Sequence, residues 1–225
     1  TIRPTITFDR PVKALGALGA REAAVAEISP TLEGRWRWLG STTVEFEPTE
    51  QPPLSTAYTV RVKSGLVALD GGALAEDHVF TFETPRIRPL SGDPVSSWRA
   101  WRWVAPDQEF SVTFNQRPTL DDIREDVLFR STDGVETAAR PVDITDWADK
   151  RIADAETRGE TLTEVDKSRF RRDRRAVVRF KPTRPLIRDK DYNLVFRAGL
   201  GSAAGPLTAP ETVMWSFRTY GPMSA

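Results

Sequence analysis

Thr43-Val44-Glu45-Phe46-Glu47-Pro48-Thr49 returns further along the chain as Val177-Val178-Arg179-Phe180-Lys181-Pro182-Thr183, at an offset of 134 (180 minus 46). The residues downstream of each stretch return as well. Tyr58-Thr59-Val60-Arg61-Val62 matches Tyr192-Asn193-Leu194-Val195-Phe196 at 134 (192 minus 58), and Gly65-Leu66 matches Gly199-Leu200. Phe80-Thr81-Phe82-Glu83-Thr84 matches Trp215-Ser216-Phe217-Arg218-Thr219 at 135 (217 minus 82). Upstream, Thr7-Phe8-Asp9-Arg10-Pro11 matches Thr113-Phe114-Asn115-Gln116-Arg117-Pro118 at 106 (114 minus 8), so the second copy carries 28 extra residues (134 minus 106). Self-similarity at a fixed offset means one architecture built twice.

Within each copy apolar and polar residues alternate, as in Tyr58, Val60, Val62 against Thr59, Arg61, Lys63. Alternation at period two is the pattern of a half-buried antiparallel strand. Turn residues bound the strands: Pro48 to Pro53, Pro182 to Pro185, Asp70-Gly71-Gly72 and Gly201 to Gly205. Short strands at this spacing predict an all-β fold of two antiparallel sandwiches, over 1–85 and 86–225. The 225 residues suffice for two cores, and 17 Pro with 14 Gly fit many turns rather than a helical bundle. Arg86 to Leu90 is a candidate first strand of the second copy. The first copy has only seven residues before Phe8, so it is expected to lack its own first strand, which residues upstream of Thr1 would supply. That leaves an edge prone to pairing with another chain.

The 28 extra residues fall between Pro141 and Arg175, where the pattern turns charged and helical. Thr145 is a candidate cap for a helix with Ala148, Ile152 and Ala155 on one face, stopped by Gly159. Thr161-x-x-Glu164 reads as a capping box for a second helix. The closing run Arg169-Phe170-Arg171-Arg172-Asp173-Arg174-Arg175 reads as a solvated face.

Lys plus Arg (32) equals Asp plus Glu (32), which leaves no net field for a nucleic acid backbone or an anionic membrane. No cysteine is present, which excludes disulfides, a thiol nucleophile, thiolate metal sites and a thioester within these residues. No run reaches the roughly 20 apolar residues of a membrane span. The chain starts at Thr1 without a visible signal peptide and is read as part of a longer protein.

Candidate sites are few. His78 is the single histidine and has no histidine or cysteine to complete a metal or hydrolase set, so it reads as a surface turn residue. Asp121, Asp122, Glu125 and Asp126 follow Thr119 and read as a helix start, and Asp70-Gly71-Gly72 lacks the acidic spacing of a calcium loop. Four of the seven tryptophans form two Trp-x-Trp pairs, Trp36/Trp38 and Trp101/Trp103, with arginines on the opposite strand face. One reading is a glycan platform, because exposed rings stack on the apolar faces of sugars. The other, which we prefer, is a sandwich core or interdomain seam. No catalytic, cofactor-binding or metal residue is assigned, and the chain reads as non-enzymatic.

The order Thr7-Phe8-Asp9-Arg10-Pro11, Gly34-Arg35-Trp36-Arg37-Trp38, Phe46-Glu47-Pro48, Tyr58-Thr59-Val60 and Phe80-Thr81-Phe82-Glu83-Thr84 resembles bacterial immunoglobulin-like modules of cell-surface proteins. With Trp36 to Ser41 and the second ending Phe217-Arg218-Thr219-Tyr220-Gly221-Pro222, it is similar, more narrowly, to the N-terminal region of bacterial α2-macroglobulins, protease traps of the cell envelope. The resemblance implies two tandem immunoglobulin-like β-sandwiches, the second with a charged helical insertion. It also implies a periplasmic or envelope location, a scaffold role beside other domains of the parent chain, and contact with proteases only through the full-length protein. Without cysteine these residues hold no Cys-x-Glu-Gln thioester, and no motif assigns a bait segment among them.

Overall fold

The computed structural model describes residues 2–14, 25–95 and 103–221. Strands take 40% of it and helices 13%, an all-β fold. The chain divides between Thr84 and Pro85 into two compact units.

Unit 1 holds β1 (Thr5–Thr7), β2 (Glu27–Ser29), β3 (Gly34–Trp38), β4 (Thr43–Pro48), β5 (Ala57–Val62) and β6 (His78–Glu83). They form two antiparallel three-stranded sheets, ordered β1-β4-β3 and β2-β5-β6. Inward residues of both sheets, Ile6, Trp38, Val44, Val60 and Val62, make its core. Gly34 in β3 has no room for a side chain: a Cβ there would lie 2.5 Å from both the Glu47 carbonyl oxygen and the Phe46 ring.

Unit 2 holds β7 (Pro89–Asp93), β8 (Trp103–Val104), β9 (Phe110–Phe114), α1 (Leu120–Asp126), β10 (Val127–Ser131), β11 (Glu136–Asp146), α2 (Trp147–Thr157), α3 (Glu164–Arg171), β12 (Ala176–Pro182), β13 (Asp191–Phe196) and β14 (Val213–Thr219). Eight strands run in the order β7-β9-β12-β11-β10-β13-β14-β8. The long β11 belongs to two layers: its first residues pair with β10, and from Ala139 onward it pairs with β12, with a shift of register between Pro141 and Asp143. A strand that bends at a bulge and changes sheet folds one layer over another. Phe110 on β9 and Phe180 on β12 then meet Phe129 on β10 and Phe217 on β14, with Phe110 5.0 Å from Phe129 and 5.4 Å from Phe217 between ring centroids. All four rings are at most 1% exposed, each contributing about 2–3 kcal/mol of burial.

The sequence offsets are registers. Ile6 pairs with Val44 as Val112 pairs with Val178, Val60 with Phe80 as Leu194 with Trp215, and Tyr58 with Phe82 as Tyr192 with Phe217. The last two pairs stack alike, at 5.1 and 5.7 Å, both with planes 17° apart. Backbone irregularities repeat too. Ser55 and Asp189 both take positive φ, 52° and 53°, and Gly65 and Gly199 come after them at 84° and 100°.

Four sequence expectations are corrected. Pro141 to Asp146 belong to β11 rather than to the insertion, because Ile144 and Thr145 continue the ladder with Val178 and Val177. The first inserted helix has Asp146, not Thr145, at its N-cap position, with no side-chain capping bond, and the Gly159 stop stands at φ 74°. The second helix uses Thr163 with Asp166, not Thr161 with Glu164, as its capping box. The first strand of unit 2 is Pro89–Asp93 rather than Arg86 to Leu90, with Ile87 already fully buried ahead of it. The insertion leaves and returns at adjacent positions, since Asp146 pairs with Ala176 and the Trp147 N–H donates to the Arg175 carbonyl at 2.9 Å.

Candidate functional site

The Phe-x-Thr ending of each copy has a definite task. The phenylalanine packs on its tyrosine, the middle residue faces outward, and the threonine turns in. Thr84 Oγ1 accepts from the Thr56 N–H at 2.9 Å and donates to the Thr56 carbonyl at 3.2 Å. Thr219 Oγ1 accepts from the Lys190 N–H at 3.0 Å and lies 2.6 Å from the Ile187 carbonyl and 3.2 Å from that of Lys190. Both threonines are buried, at 2% and 0% exposure. Each fastens the last strand to the residue just ahead of the preceding one, so the motif closes a hairpin.

The tryptophans go separate ways. In unit 1, Trp36 is half-buried, meets Phe46 edge-on at 5.2 Å, and donates from Nε1 to the Ala26 carbonyl at 2.9 Å. Trp38 is 7% exposed with its ring 5.9 Å from Phe8, so it serves the core and cannot carry a sugar. In unit 2, Trp101 lies outside the described residues. Trp103 is 50% exposed, at the start of β8 beside β14. Its ring lies 6.3 Å from that of Tyr220, itself 53% exposed, with planes 24° apart, and the Arg218 guanidinium sits 5.3 Å from the Trp103 ring centre. Asp191 and Asp189 hold that guanidinium at 2.8 and 2.9 Å. The sequence reading missed Tyr220, although alternation from Phe217 inward puts Arg218 and Tyr220 outward.

Two clefts remain. One of about 330 Å³ in unit 1 is lined by Phe8, Val12, Leu66 and Leu74 with Asp9 and Arg10 at its rim. Arg10 is drawn off to Asp70 at 3.1 Å, and Asp70, held low first by the Gly72 N–H, closes its own turn. The other, about 490 Å³, lies between α2 and the outer face of β11 and β12. Asp143 in it is held low by the Thr145 hydroxyl and the Arg179 guanidinium, and Lys150 pairs with Asp154 at 2.9 Å. These charged groups are held by local ion pairs and hydrogen bonds.

The other sequence candidates have local partners. Asp121 pairs with Arg124 at 2.6 Å, the Thr119 hydroxyl accepts from the Asp122 N–H, and burial pushes Asp126 up with the Asp122 charge assisting. His78 opens β6 on the surface, 6.1 Å from the Phe80 ring. Among the described residues no group of three or more His, Cys, Asp or Glu is arranged to hold a metal. Part of the basic run is structural: Arg175 lies 4.0 Å from the Trp147 ring, and Arg151 stands 5.3 Å from Trp147 and 5.1 Å from Phe170. Such cation–π contacts contribute roughly 0.5–1 kcal/mol each where exposed.

No protein-family model and no curated protein matches the sequence.

Proposed function

We propose that the chain is a pair of immunoglobulin-like β-sandwich modules, a non-catalytic scaffold within a larger bacterial envelope protein resembling an α2-macroglobulin protease trap. One observation carries the scaffold reading: what the two copies share is structural. The shared positions are the stacked Tyr-Phe pair, the threonine clamp, the positive-φ residue ahead of it and the paired core residues. In unit 2, β7-β9-β12-β11 correspond in order to strands A, B, E and D of an immunoglobulin fold, and β10-β13-β14 to C, F and G. Among its described residues, unit 1 supports the same lettering from strand B onward.

The scaffold acts through the other domains of its parent chain, and proteases meet it only in that context. The test is to assay the chain alone, in molar excess, against serine, cysteine, aspartic and metalloproteases with small and large substrates. Neither inhibition nor hydrolysis is expected. Inhibition of cleavage of small and large substrates alike would overturn the reading. For the trap assignment, the parent protein is incubated with a protease. A trapped protease keeps activity on small substrates and loses it on large ones, and failure of that pattern removes the family assignment.

The half-exposed Trp103–Tyr220 pair favours a second reading, a carbohydrate-binding or adhesion surface. Titration with peptidoglycan fragments and polysaccharides should then shift tryptophan fluorescence in the wild type and not in Trp103→Ala. No response to any glycan removes this reading.

A further inference from the structure

The two copies differ most in what covers their sheet edges. In unit 2, β7 lies along β9 with Asp93 opposite Ser111, Gly92 opposite Val112 and Ser91 opposite Thr113, and β8 lies parallel to β14. Just ahead of β7, the Asn115 side chain accepts from the Arg88 N–H and donates to the Arg86 carbonyl, both at 2.8 Å. In unit 1 the counterparts of β9 and β14 are β1 and β6, and among the described residues each ends its sheet with a neighbour on one side only.

The free groups can be named. Ile6 pairs with Val44, the Phe8 N–H donates to Thr42, and the Phe46 N–H donates to the Pro4 carbonyl, so Pro4, Ile6 and Phe8 turn their backbone toward β4. The alternation of an antiparallel ladder turns the N–H and C=O of Thr5 and Thr7 to the open side. These are the counterparts of Ser111 and Thr113, the residues that β7 engages. Side-chain burial agrees independently. Phe114, Trp215 and Phe217 are at most 2% exposed, whereas their counterparts Phe8, Phe80 and Phe82 are only half-buried.

We propose that the β1 edge of unit 1 is a docking site for an extended peptide strand lying outside these 225 residues, added antiparallel to β1 in the register β7 uses on β9. Strand addition draws affinity from main-chain hydrogen bonds and selectivity from alternate side chains. The occupant is a strand of the same kind as residues 86–93, with an apolar residue at the position of Ile87, which is fully buried in unit 2. It covers the half-buried phenylalanines and offers N–H groups to Asp9, a carboxylate where unit 2 has Asn115.

The test is amide hydrogen exchange of the whole chain by NMR, with a synthetic peptide of the sequence Pro85–Val95 as probe. In the free, dilute chain, Thr5 and Thr7 should exchange about tenfold or more faster, relative to intrinsic rates, than Ser111 and Thr113. Millimolar peptide should slow Thr5 and Thr7 by about tenfold and leave Ser111 and Thr113 unchanged. Thr7→Pro should abolish this response while unit 1 stays folded, since proline is tolerated where the strand N–H faces away from its sheet. If that variant unfolds, the wild-type comparison decides alone. Protected Thr5 and Thr7 in the dilute free chain, or no slowing by peptide, would overturn the proposal. Protection that grows with protein concentration as the solution mass doubles would replace the proposed occupant with a second copy.

Discussion

Replacing Thr219 by valine keeps the shape of a fully buried side chain and deletes its hydroxyl. The Lys190 N–H and the Ile187 carbonyl then each lose a hydrogen bond, of 3.0 and 2.6 Å. An unsatisfied buried group costs about 1–3 kcal/mol, and because these two are only part-buried the lower end applies to each, about 2 kcal/mol together. Thr219→Ser keeps the oxygen and loses one methyl, about 1 kcal/mol. In a unit of this size 2 kcal/mol lowers the melting temperature by roughly 6–8 °C. Differential scanning calorimetry of wild type, T219V and T219S measures this in the unit 2 transition, with T84V as the counterpart in unit 1. A T219V transition within about 1 °C of wild type, or T219S as damaging as T219V, would refute the clamp.

Gly92→Ala should destabilise unit 2 by about 2 kcal/mol, since a Cβ would lie 2.4 Å from the Val95 carbonyl oxygen and 2.8 Å from the Trp215 ring; an unchanged urea midpoint would contradict that packing. Asp133 is lowered to about 2 by the Lys190 ammonium and the Ser131 hydroxyl. A depressed carboxyl stabilises the fold above its ordinary unfolded value near 4 and loses that contribution as pH falls through about 2. Asp133→Asn should therefore flatten the fall of stability between about pH 4 and pH 2, read from urea midpoints across that window. Within the described residues, limited trypsin digestion should cut first at the exposed Arg169, Arg171 and Arg172; first cuts between Arg61 and Glu83 would mean that the insertion is the better-packed part.

Much of the architecture was legible because a ladder is periodic: Val44 and Val178 sit 134 apart, their partners Ile6 and Val112 sit 106 apart, and the same pairing recurs in both units. The reason for the threonine in Phe-x-Thr was not legible, since its partners Thr56 and Lys190 lie about 28 residues upstream. The second capping box was ambiguous locally, because Thr161-x-x-Glu164 and Thr163-x-x-Asp166 both fit the pattern and only the turn geometry chooses. β11 was cut short because Pro141 and Asp143, at its shift of register, interrupt the alternation that marks a strand. Of the four tryptophans, Trp36 and Trp38 followed the core reading, while the exposure of Trp103 depends on its parallel pairing with Arg218, which no local pattern announces.

The pairing of Asp146 with Ala176 has a consequence for how this chain tolerates change. The sheet already holds the two ends of the helical insertion side by side, and Trp147 to Arg175 merely span them. Closing such a loop costs free energy only with the logarithm of its length, so doubling it adds about 0.6 kcal/mol. Its length is therefore nearly independent of the strands beneath. A longer insert with adjacent termini can thus be carried at this position while β11 and β12 keep their pairing.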